Sequence, residues 1–298
     1  MSQRQLALAG ATMVSLIYGM TFTIAKDVMP VYLGAFGFIL IRVGCCTFLF
    51  WLAGIFAPKE KIESADFPRI IAAALFGVAI NMLTFFKGLS YTTPISASVI
   101  MVTTPIIVLV LSAFIIKERL RPVTVFGILL GLAGTAILIL YGKSIKNAPN
   151  ATIGNLLVFV NALSYGCYLI LVKRLMDKYN AFTFVKYIYL FGFIMVLPFG
   201  WQEFLEAQWL LKPPAIYWKI TFVIVLSTFF TYLLNLLSMK TLPPVTVAVF
   251  IYLQPLFATI FAIGLGKDEL SFVKIISAVM IFIGVYLVTQ KKKSPLPD

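Results

Sequence analysis

The sequence predicts an all-α membrane protein, with ten transmembrane helices arranged as two inverted five-helix repeats. Three observations support this fold class. Hydrophobic residues make up 61% of the 298 residues and charged residues only 12%, whereas charged residues make up about a quarter of a soluble domain. The hydrophobic residues form ten runs of membrane-spanning length. Landmarks of the first five runs recur in the last five.

The ten runs are bounded by charged residues or by Pro and Gly. A helix needs about 20 apolar residues to cross a bilayer, and in lipid only helices or closed barrels satisfy the backbone. The runs are continuous rather than alternating, which favours helices. The first run lacks a small-residue cleavage site, so it predicts a membrane helix and not a signal peptide. The predicted spans are residues 5–25, 33–56, 68–90, 95–116, 123–141, 152–172, 182–200, 217–239, 244–265 and 272–290.

The distribution of Lys and Arg predicts the orientation of the chain. With a cytoplasmic N-terminus, fifteen of these residues lie on the inner side and seven on the outer side, while Arg42 and Lys87 lie within spans. Cytoplasmic loops carry an excess of Lys and Arg, so we expect a multi-pass protein of the bacterial inner (cell) membrane with both termini in the cytoplasm. The net charge of +13 is spread over inner loops without an aromatic-basic groove, so we expect no nucleic-acid partner.

The second half of the chain repeats the first. Because each copy has five spans, the second must enter the membrane from the opposite side, which predicts inverted repeats over residues 1–147 and 148–298. Such bundles are typical of alternating access around a midplane site. The charged motifs at 117–120 and 267–270 are either solvated turns or gates. The landmarks are Pro94 and Pro244, Pro105 and Pro255, Gly134 and Gly284, and "KERL" and "KDEL", each pair 150 positions apart, and Tyr18 and Tyr165, 147 apart.

The sequence also excludes several kinds of chemistry. None of the eleven Asp and Glu residues lies inside a predicted span, and the chain has no histidine. A proton-driven pump for cations uses an intramembrane carboxylate, and membrane proteolysis needs a Ser-His or Asp pair. No residue cluster has the spacing of metal ligands. We therefore expect no catalytic residue, no metal and no cofactor, and a protein that is not an enzyme.

Arg42 is a candidate binding residue, because it lies about nine residues into the second span, at a depth of roughly 13 Å. Leaving its charge in lipid would cost on the order of 3 kcal/mol, so the side chain should face protein or water. One interpretation is a fork for a substrate carboxylate or phosphate. The other is that Arg42 binds backbone carbonyls that are freed elsewhere in the bundle.

Two prolines, Pro105 and Pro255, fall in the middle of the fourth and ninth spans. Each lacks an N–H and displaces the carbonyl four residues earlier, that of Met101 or Ile251. Such a carbonyl needs a partner in lipid, so the kinks should face the interior of the bundle. The two prolines are either hinge and gating positions or fixed packing kinks.

Neutral polar residues within the spans are the remaining site candidates. Each one alone is more often an interhelical hydrogen bond, of about 0.6 kcal/mol, than a ligand contact. We consider them together with Arg42 as one substrate-binding set, which consists of Tyr18, Asn81, Asn161, Tyr165, Asn235 and Gln254.

Gly127, Gly131 and Gly134 form a face of the fifth span on which another helix can approach closely. That helix belongs either to the same chain or to a second copy in a homodimer. The other expected partners are the lipid bilayer and a small-molecule substrate.

The chain resembles the EamA-type branch of the drug/metabolite transporter superfamily over essentially its whole length. One difference is that this family commonly has Trp-Gly in the first helix, where this chain has Tyr18-Gly19. The resemblance implies that helices 1, 3, 4, 6, 8 and 9 line a central cavity, and it favours export. It is carried by the two five-span halves and by "YGMTFTIAK" (18–26), "IRVG" (41–44), "TTPISASVIMVTTPIIVLVLSAFIIKERL" (92–120), "GILLGLAGTAILIL" (127–140) and "LPPVTVAVFIYLQPLFATIFAIGLGKDEL" (242–270).

We therefore expect a secondary transporter that exports small organic metabolites by alternating access. An interior with positive charge, amides and phenols but no acid favours amino acids or related zwitterions and anions. The first alternative is uptake of a nucleotide-like or otherwise phosphorylated metabolite. The second alternative is a membrane subunit that transports nothing.

Overall fold

A computed structural model describes residues 2–29, 31–92, 97, 100–117, 121–140, 150–209, 213–264 and 271–290. Eight of its helices are long and apolar enough to cross a membrane, and Thr104–Ile116 is a shorter apolar helix. With the first helix these make ten in the described part of the chain. They are α1 Gln3–Val28, α2 Ala35–Gly54, α3 Phe67–Ala74 continuing through Leu75–Ala79 and Ile80–Tyr91, α4 Thr104–Ile116, α5 Pro122–Leu140, α6 Ala151–Met176, α7 Ala181–Glu206, α8 Pro214–Met239, α9 Pro244–Val249 continuing through Phe250–Tyr252 and Leu253–Gly264, and α10 Phe272–Thr289.

The predicted helical fold is confirmed, and the ten predicted spans coincide with these helices. Most differences lie at the ends, where α6 and α7 run four and six residues further than predicted. Lys173 and Arg174 end the apolar run but still form helical hydrogen bonds in the last turn of α6. In the fourth span, residues 93–96 and 98–99 lie outside the described part of the chain.

The surface of the bundle is apolar, as lipid contact requires. Large hydrophobic side chains point outward from several helices, among them Phe48 of α2, Phe126 of α5 and Phe282 of α10. A soluble monomer rarely exposes so continuous an apolar surface. The protein is therefore a multi-pass membrane protein.

The packing of the helices follows the two repeats. Helices α2 and α7 pack along their lengths, as do α5 and α10. The contact of α3 with α6 has a counterpart in α8 with α1, and that of α4 with α6 has a counterpart in α9 with α1. Replacing each helix of one repeat by the equivalent helix of the other converts each contact into its counterpart. A two-fold axis between the repeats requires this relation. The predicted boundary between residues 147 and 148 lies outside the described residues.

Two π-helical segments mark equivalent positions in the repeats. Leu75–Ala79 interrupts α3, and Val225–Phe230 interrupts α8, so the two segments begin 150 positions apart. Each adds an extra residue to its turn, which rotates the following side chains and frees backbone carbonyls. The spacing of apolar residues did not predict either segment.

The described contacts group the helix termini at two ends of the bundle. Each helix runs from one end to the other, and consecutive helices run in opposite directions. We call one the Lys178 end, where Arg4 contacts Thr289, Arg121 contacts Gln290, Arg174 contacts Ile115 and Lys178 contacts Asp66. We call the other the Glu203 end, where Glu203 contacts Gly37, Lys219 contacts Asp27 and Asn150 contacts Tyr91.

Carboxylates bind N–H groups at the starts of α2 and α7, one from Glu203 of α7 and the other from Glu60 of the α2–α3 loop. At the Glu203 end, the backbone N–H of Gly37 in the first turn of α2 donates to Glu203 Oε2 at 2.8 Å. At the Lys178 end, the N–H of Asn180, which caps α7, donates to Glu60 Oε2 at 2.8 Å. Each carboxylate satisfies orphan N–H groups and the positive end of a helix dipole. The two contacts lie at opposite ends of the α2–α7 pair.

Glycines bring α5 and α10 together at backbone distance. A methyl group added to Gly127 would lie 2.8 Å from the Gly284 carbonyl oxygen, and one added to Gly284 would lie 2.6 Å from that of Gly127. Gly131 faces the ring of Tyr252 in α9. Helices of the same chain therefore cover the glycine face of α5, so this face is not available to a second copy. A homodimer stays a prediction.

Candidate functional site

A cavity of about 460 Å³ lies between the two repeats. It receives side chains from α1, α2, α3, α6, α8 and α9 and from Met101, which precedes α4. Six of the seven predicted binding residues line it. In the described part of the chain its lining is Tyr18, Thr21, Ala25, Met29, Ala35, Arg42, Asn81, Met82, Phe85, Phe86, Leu89, Ser90, Met101, Asn161, Tyr165, Ser227, Tyr232, Ile251 and Gln254.

The cavity runs from the middle of the bundle to one end only. Its lining includes Met29, Ala35 and Ser90, which lie at the Glu203 ends of α1, α2 and α3. No described residue from the last turns at the Lys178 end belongs to the lining. The structure therefore represents a bundle that faces the Glu203 end and is closed at the Lys178 end.

Arg42 is buried, at 5% exposure, and reaches the cavity from α2. Its Nε and Nη2 atoms both donate to the hydroxyl of Thr228 in α8, at 3.1 Å. The guanidinium carbon lies 5.2 Å from the ring centroid of Phe86 and 5.7 Å from that of Phe38. Two aromatic rings and a hydroxyl thus stabilise the buried guanidinium in place of water.

The π-helical segment of α8 positions Thr228 for this contact. The Thr228 hydroxyl donates to the carbonyl of Val223, five residues earlier, at 2.7 Å. Its proton is used in that bond, so its lone pairs face Arg42. The partner is a hydroxyl rather than the backbone carbonyl that one interpretation of the sequence expected. Whether Arg42 is also a substrate fork stays a prediction.

The described lining of the cavity contains one cation and no acid. Arg42 takes part in none of the ion pairs between described residues, which are Arg69–Asp66, Lys173–Asp177, Lys178–Glu63, Lys178–Asp66 and Lys219–Asp27. A buried charge without a countercharge creates a strong positive potential in a low dielectric. The cavity therefore favours an anionic group beside Arg42.

Asn81 and Asn161 join α3 to α6 at the cavity wall. The side-chain amide of Asn161 donates to the Asn81 carbonyl at 2.7 Å, and that of Asn81 donates to the Asn161 carbonyl at 3.5 Å. Asn161 Oδ1 is buried without a hydrogen-bond partner, and the Ser227 hydroxyl is too. Both residues line the cavity. Two polar atoms in the cavity wall thus lack a hydrogen-bond partner in this state, which is uncommon for buried polar groups.

Tyrosines from α1 and α6, Tyr18 and Tyr165, line the cavity at equivalent repeat positions. Tyr18 accepts a hydrogen bond from the Thr231 hydroxyl at 3.1 Å, and Tyr165 accepts one from Asn235 Nδ2 at 3.5 Å. Gln254 lines the cavity, but Asn235 lies behind Tyr165 and does not. Six of the seven residues predicted from the sequence thus lie at one site, and Asn235 lies outside it.

Both predicted prolines follow an interruption of a helix. A turn at Val102 and Thr103 precedes α4, so Pro105 lies in the first turn of a new helix and not in a helix interior as predicted. Pro255 is likewise the third residue of a helix that follows the 3₁₀ turn Phe250–Tyr252. The Met101 carbonyl accepts from the Thr104 hydroxyl at 2.6 Å. Met101 and Ile251 line the cavity, and a hinge role for the prolines stays a prediction.

A layer of three buried tyrosines closes the cavity on the Lys178 side. Tyr168, Tyr189 and Tyr232 come from α6, α7 and α8, and Tyr232 packs at 6.0 Å from Tyr168 and 5.1 Å from Tyr189, centroid to centroid. Tyr232 donates to the carbonyl of Gly77 at 2.7 Å. The sequence did not identify this layer, because isolated tyrosines in apolar runs resemble ordinary core residues.

A polar cluster closes the bundle at the Lys178 end itself. Lys178 donates to Glu63 at 2.6 Å and to Asp66 at 2.7 Å, and the Tyr179 hydroxyl donates to the same Asp66 oxygen at 2.7 Å. The hydrogen bonds from Lys178 and Tyr179 lower the pKa of Asp66. The hydrogen bonds to Asp66 and Glu63 raise the pKa of Lys178. The cluster ties the α2–α3 loop of one repeat to the α6–α7 loop of the other.

A ten-helix membrane bundle of two repeats around a central cavity is an architecture that transporters use. Two stretches of the chain, residues 5–140 and 152–290, match the EamA-like transporter family, and the chain belongs to this family. The resemblance stated from the sequence is thereby confirmed, and so is a transporter role.

Curated relatives are similar along most of the chain. An uncharacterized transporter of Archaeoglobus fulgidus is 24% identical and covers 90% of this chain and 90% of its own length. The uncharacterized transporter YetK of Bacillus subtilis is 25% identical, with 90% and 81% covered. A WAT1-related protein of Arabidopsis thaliana is 26% identical, with 97% and 80% covered. A solved crystal structure with a TM-score of 0.77, 19% identity and 96% of each chain covered has the same fold.

Proposed function

We propose that the protein is a secondary transporter that exports small organic anions or zwitterions, amino acids above all, across a bacterial inner membrane by alternating access. The observation that carries the substrate class is the cavity chemistry: Arg42 is the single described cation in the lining, and no described acid accompanies it. The volume, about 460 Å³, is in the range of small-molecule sites.

The charge of the cavity favours a carboxylate over a phosphate. A guanidinium binds either group through paired N–H donors. A phosphate monoester carries about −1.5 to −2 at neutral pH, and one buried arginine would leave part of that charge uncompensated. A monocarboxylate matches Arg42 one to one. Uptake of a phosphorylated metabolite is therefore the weaker proposal.

The remaining lining suits a solute with a donor group and an apolar body. The oxygens of Asn161 and Ser227 are buried without a partner in this structure, and they would accept hydrogen bonds from an ammonium or hydroxyl of the solute once the wall around them opens. Phe85, Met82 and Leu89 offer apolar surface on α3. An α-amino acid with an aliphatic or aromatic side chain combines all three features.

The orientation follows from the excess of Lys and Arg in the loops, which assigns the Lys178 end to the cytoplasm. The described cavity then faces outward. In the export cycle the solute enters from the Lys178 end and leaves at the Glu203 end. The direction itself rests on the resemblance to exporters.

The test is counterflow in proteoliposomes, with a thermal-shift screen of the purified protein against amino acids, monocarboxylates and phosphorylated metabolites. We expect stabilisation and counterflow by neutral amino acids. Arg42→Ala should weaken both by about ten- to a hundredfold, since a hydrogen bond to a charged group contributes about 1.5–3 kcal/mol.

Lys87→Ala is the matched control. Lys87 lies on the same wall, over the rings of Phe36 and Tyr91, but outside the described lining. Its loss should leave binding unchanged. Stabilisation by phosphorylated metabolites alone would support the uptake alternative, and no response to the whole panel would support the non-transporting subunit.

A further inference from the structure

We propose that the chain holds a second, closed solute-contacting surface between the cavity and the Lys178 end, with Tyr189 and Asn235 as its polar contacts. This surface is built from residues of α6, α7 and α8 that are the repeat counterparts of cavity-lining residues in α1, α2 and α3. The inference rests on the proposed alternating-access transport, because only a transporter needs the surface to open.

The counterparts on α6 follow from the tyrosine pair. Tyr18 and Tyr165 are 147 positions apart, and both line the cavity. The other lining residues of α1 are Thr21, Ala25 and Met29. At the same offset α6 carries Tyr168, Val172 and Met176, all of them buried in this structure.

An offset of 150 positions relates α3 to α8. The π-helical segments begin at Leu75 and Val225, and Pro94 and Pro244, which follow the two helices in the sequence, are also 150 positions apart. The cavity-lining residues Phe85, Phe86 and Leu89 therefore correspond to Asn235, Leu236 and Met239, which are all buried. This correspondence explains why Asn235, a predicted binding residue, lies outside the present cavity.

The counterpart of Arg42 on α7 is Tyr189. Arg42 is the eighth residue of α2 and Tyr189 the ninth of α7, and they are 147 positions apart. A phenol thus replaces the guanidinium in the second repeat. Arg42, in the middle of the bundle, would hold the anionic group in both states, while the second surface adds neutral phenol and amide groups.

Two hydroxyl groups of the buried layer lack partners in the present state. The hydroxyls of Tyr168 and Tyr189 are buried without a hydrogen-bond partner. Leaving such a group unsatisfied costs about 1–3 kcal/mol. Opening of the Lys178 end would expose both hydroxyls to water or solute, which gives the unsatisfied groups a role in the other state.

The polar cluster at the Lys178 end is what keeps this surface closed. Lys178 in the second repeat binds Glu63 and Asp66, which precede α3 of the first. The cluster must come apart before α3 can leave α6 and α8. Loss of Lys178 should therefore shift the bundle toward the state that faces this end.

The test measures cysteine accessibility in the purified, full-length protein with Cys45, Cys46 and Cys167 replaced by alanine. Met239→Cys reports the closed surface, and its counterpart Leu89→Cys reports the open cavity. With a water-soluble maleimide, we expect Leu89→Cys to react at least tenfold faster than Met239→Cys. Adding Lys178→Ala should raise the Met239→Cys rate and lower the Leu89→Cys rate.

Unchanged rates in the Lys178→Ala chain, or an equal rise at both positions, would overturn the proposal. The assay needs no transported solute, so its failure is distinct from failure of the proposed function. Tyr189→Phe adds a second readout: transport started from the Lys178 side should weaken severalfold without loss of thermal stability. Tyr252→Phe, which also removes a buried hydroxyl without a partner, is the control and should leave transport unchanged.

Discussion

Gly77 lies directly against the ring of Tyr168, where α3 of the first repeat meets α6 of the second. A methyl group on Gly77 would overlap the tyrosine ring, and Tyr168 is fully buried and cannot move aside. Gly77 also accepts the hydrogen bond from Tyr232. The absence of a side chain at this position therefore permits the closed layer on the Lys178 side of the cavity.

Gly77→Ala should destabilise the closed layer. Overpacking of a filled interior costs about 1–3 kcal/mol, so we expect a lower melting temperature in detergent and faster labelling of Met239→Cys. Gly264→Ala is the matched control, since no described atom lies within 4 Å of the added methyl. Equal melting temperatures for the two variants would contradict this contact.

The α5–α10 seam should be equally sensitive. Gly127→Ala and Gly284→Ala each place a methyl group against a backbone carbonyl, which cannot rotate away as a side chain can. We expect each variant to lose about 1–3 kcal/mol of stability and yield less monodisperse protein in size-exclusion chromatography. The double variant should lose less than the sum, because the two methyl groups disturb one seam.

Thr228→Val tests the support of Arg42. The substitution keeps the shape of the side chain but removes the oxygen that accepts both described hydrogen bonds of the guanidinium. We expect the half-saturating solute concentration to change by about tenfold, with normal expression. In the control, Thr84→Val, the lost hydroxyl bonds only to Ile80 of its own helix, and transport should not change.

The polar cluster predicts how closure depends on pH. The pKa of Asp66 is lowered from 3.8, so its contribution is complete above that value and is lost as the pH falls through the lowered pKa. The pKa of Lys178 is raised from 10.5, so its contribution is complete below that value and is lost as the pH rises through the raised pKa.

Between these limits the ratio of Met239→Cys to Leu89→Cys labelling should stay constant. Asp66→Asn should reproduce the acid state at neutral pH and raise the ratio. A step in the ratio near neutral pH would show that another group controls closure.

The sequence predicted the helices and most of the cavity because membrane solvation acts on each residue separately. Twenty apolar residues form a span whatever surrounds them, and a polar residue in a span must face protein or water, as Arg42, Asn81 and Gln254 do. The sequence repeat then indicated which helices of the two halves are equivalent. None of these inferences requires a contact between distant residues.

The features that sequence reasoning missed depend on such contacts. Lys178 and Asp66 are joined across two loops, and nothing in either loop names its partner. Thr228 lies in an apolar run like many other threonines and becomes important only through the π-helical turn that aims it at Arg42. The one available signal was the 150-residue offset between the repeats, which makes the π-helical turn of α8 equivalent to the one around Gly77 in α3.

The paired helices α2 and α7 are joined at the Glu203 end by Glu203 on Gly37, and at the Lys178 end Glu60 of the α2–α3 loop binds Asn180 at the start of α7. These hydrogen bonds oppose separation of α2 and α7 at either end. In the proposed alternating-access cycle, a motion that opens one end and closes the other would keep this pair together and turn about it.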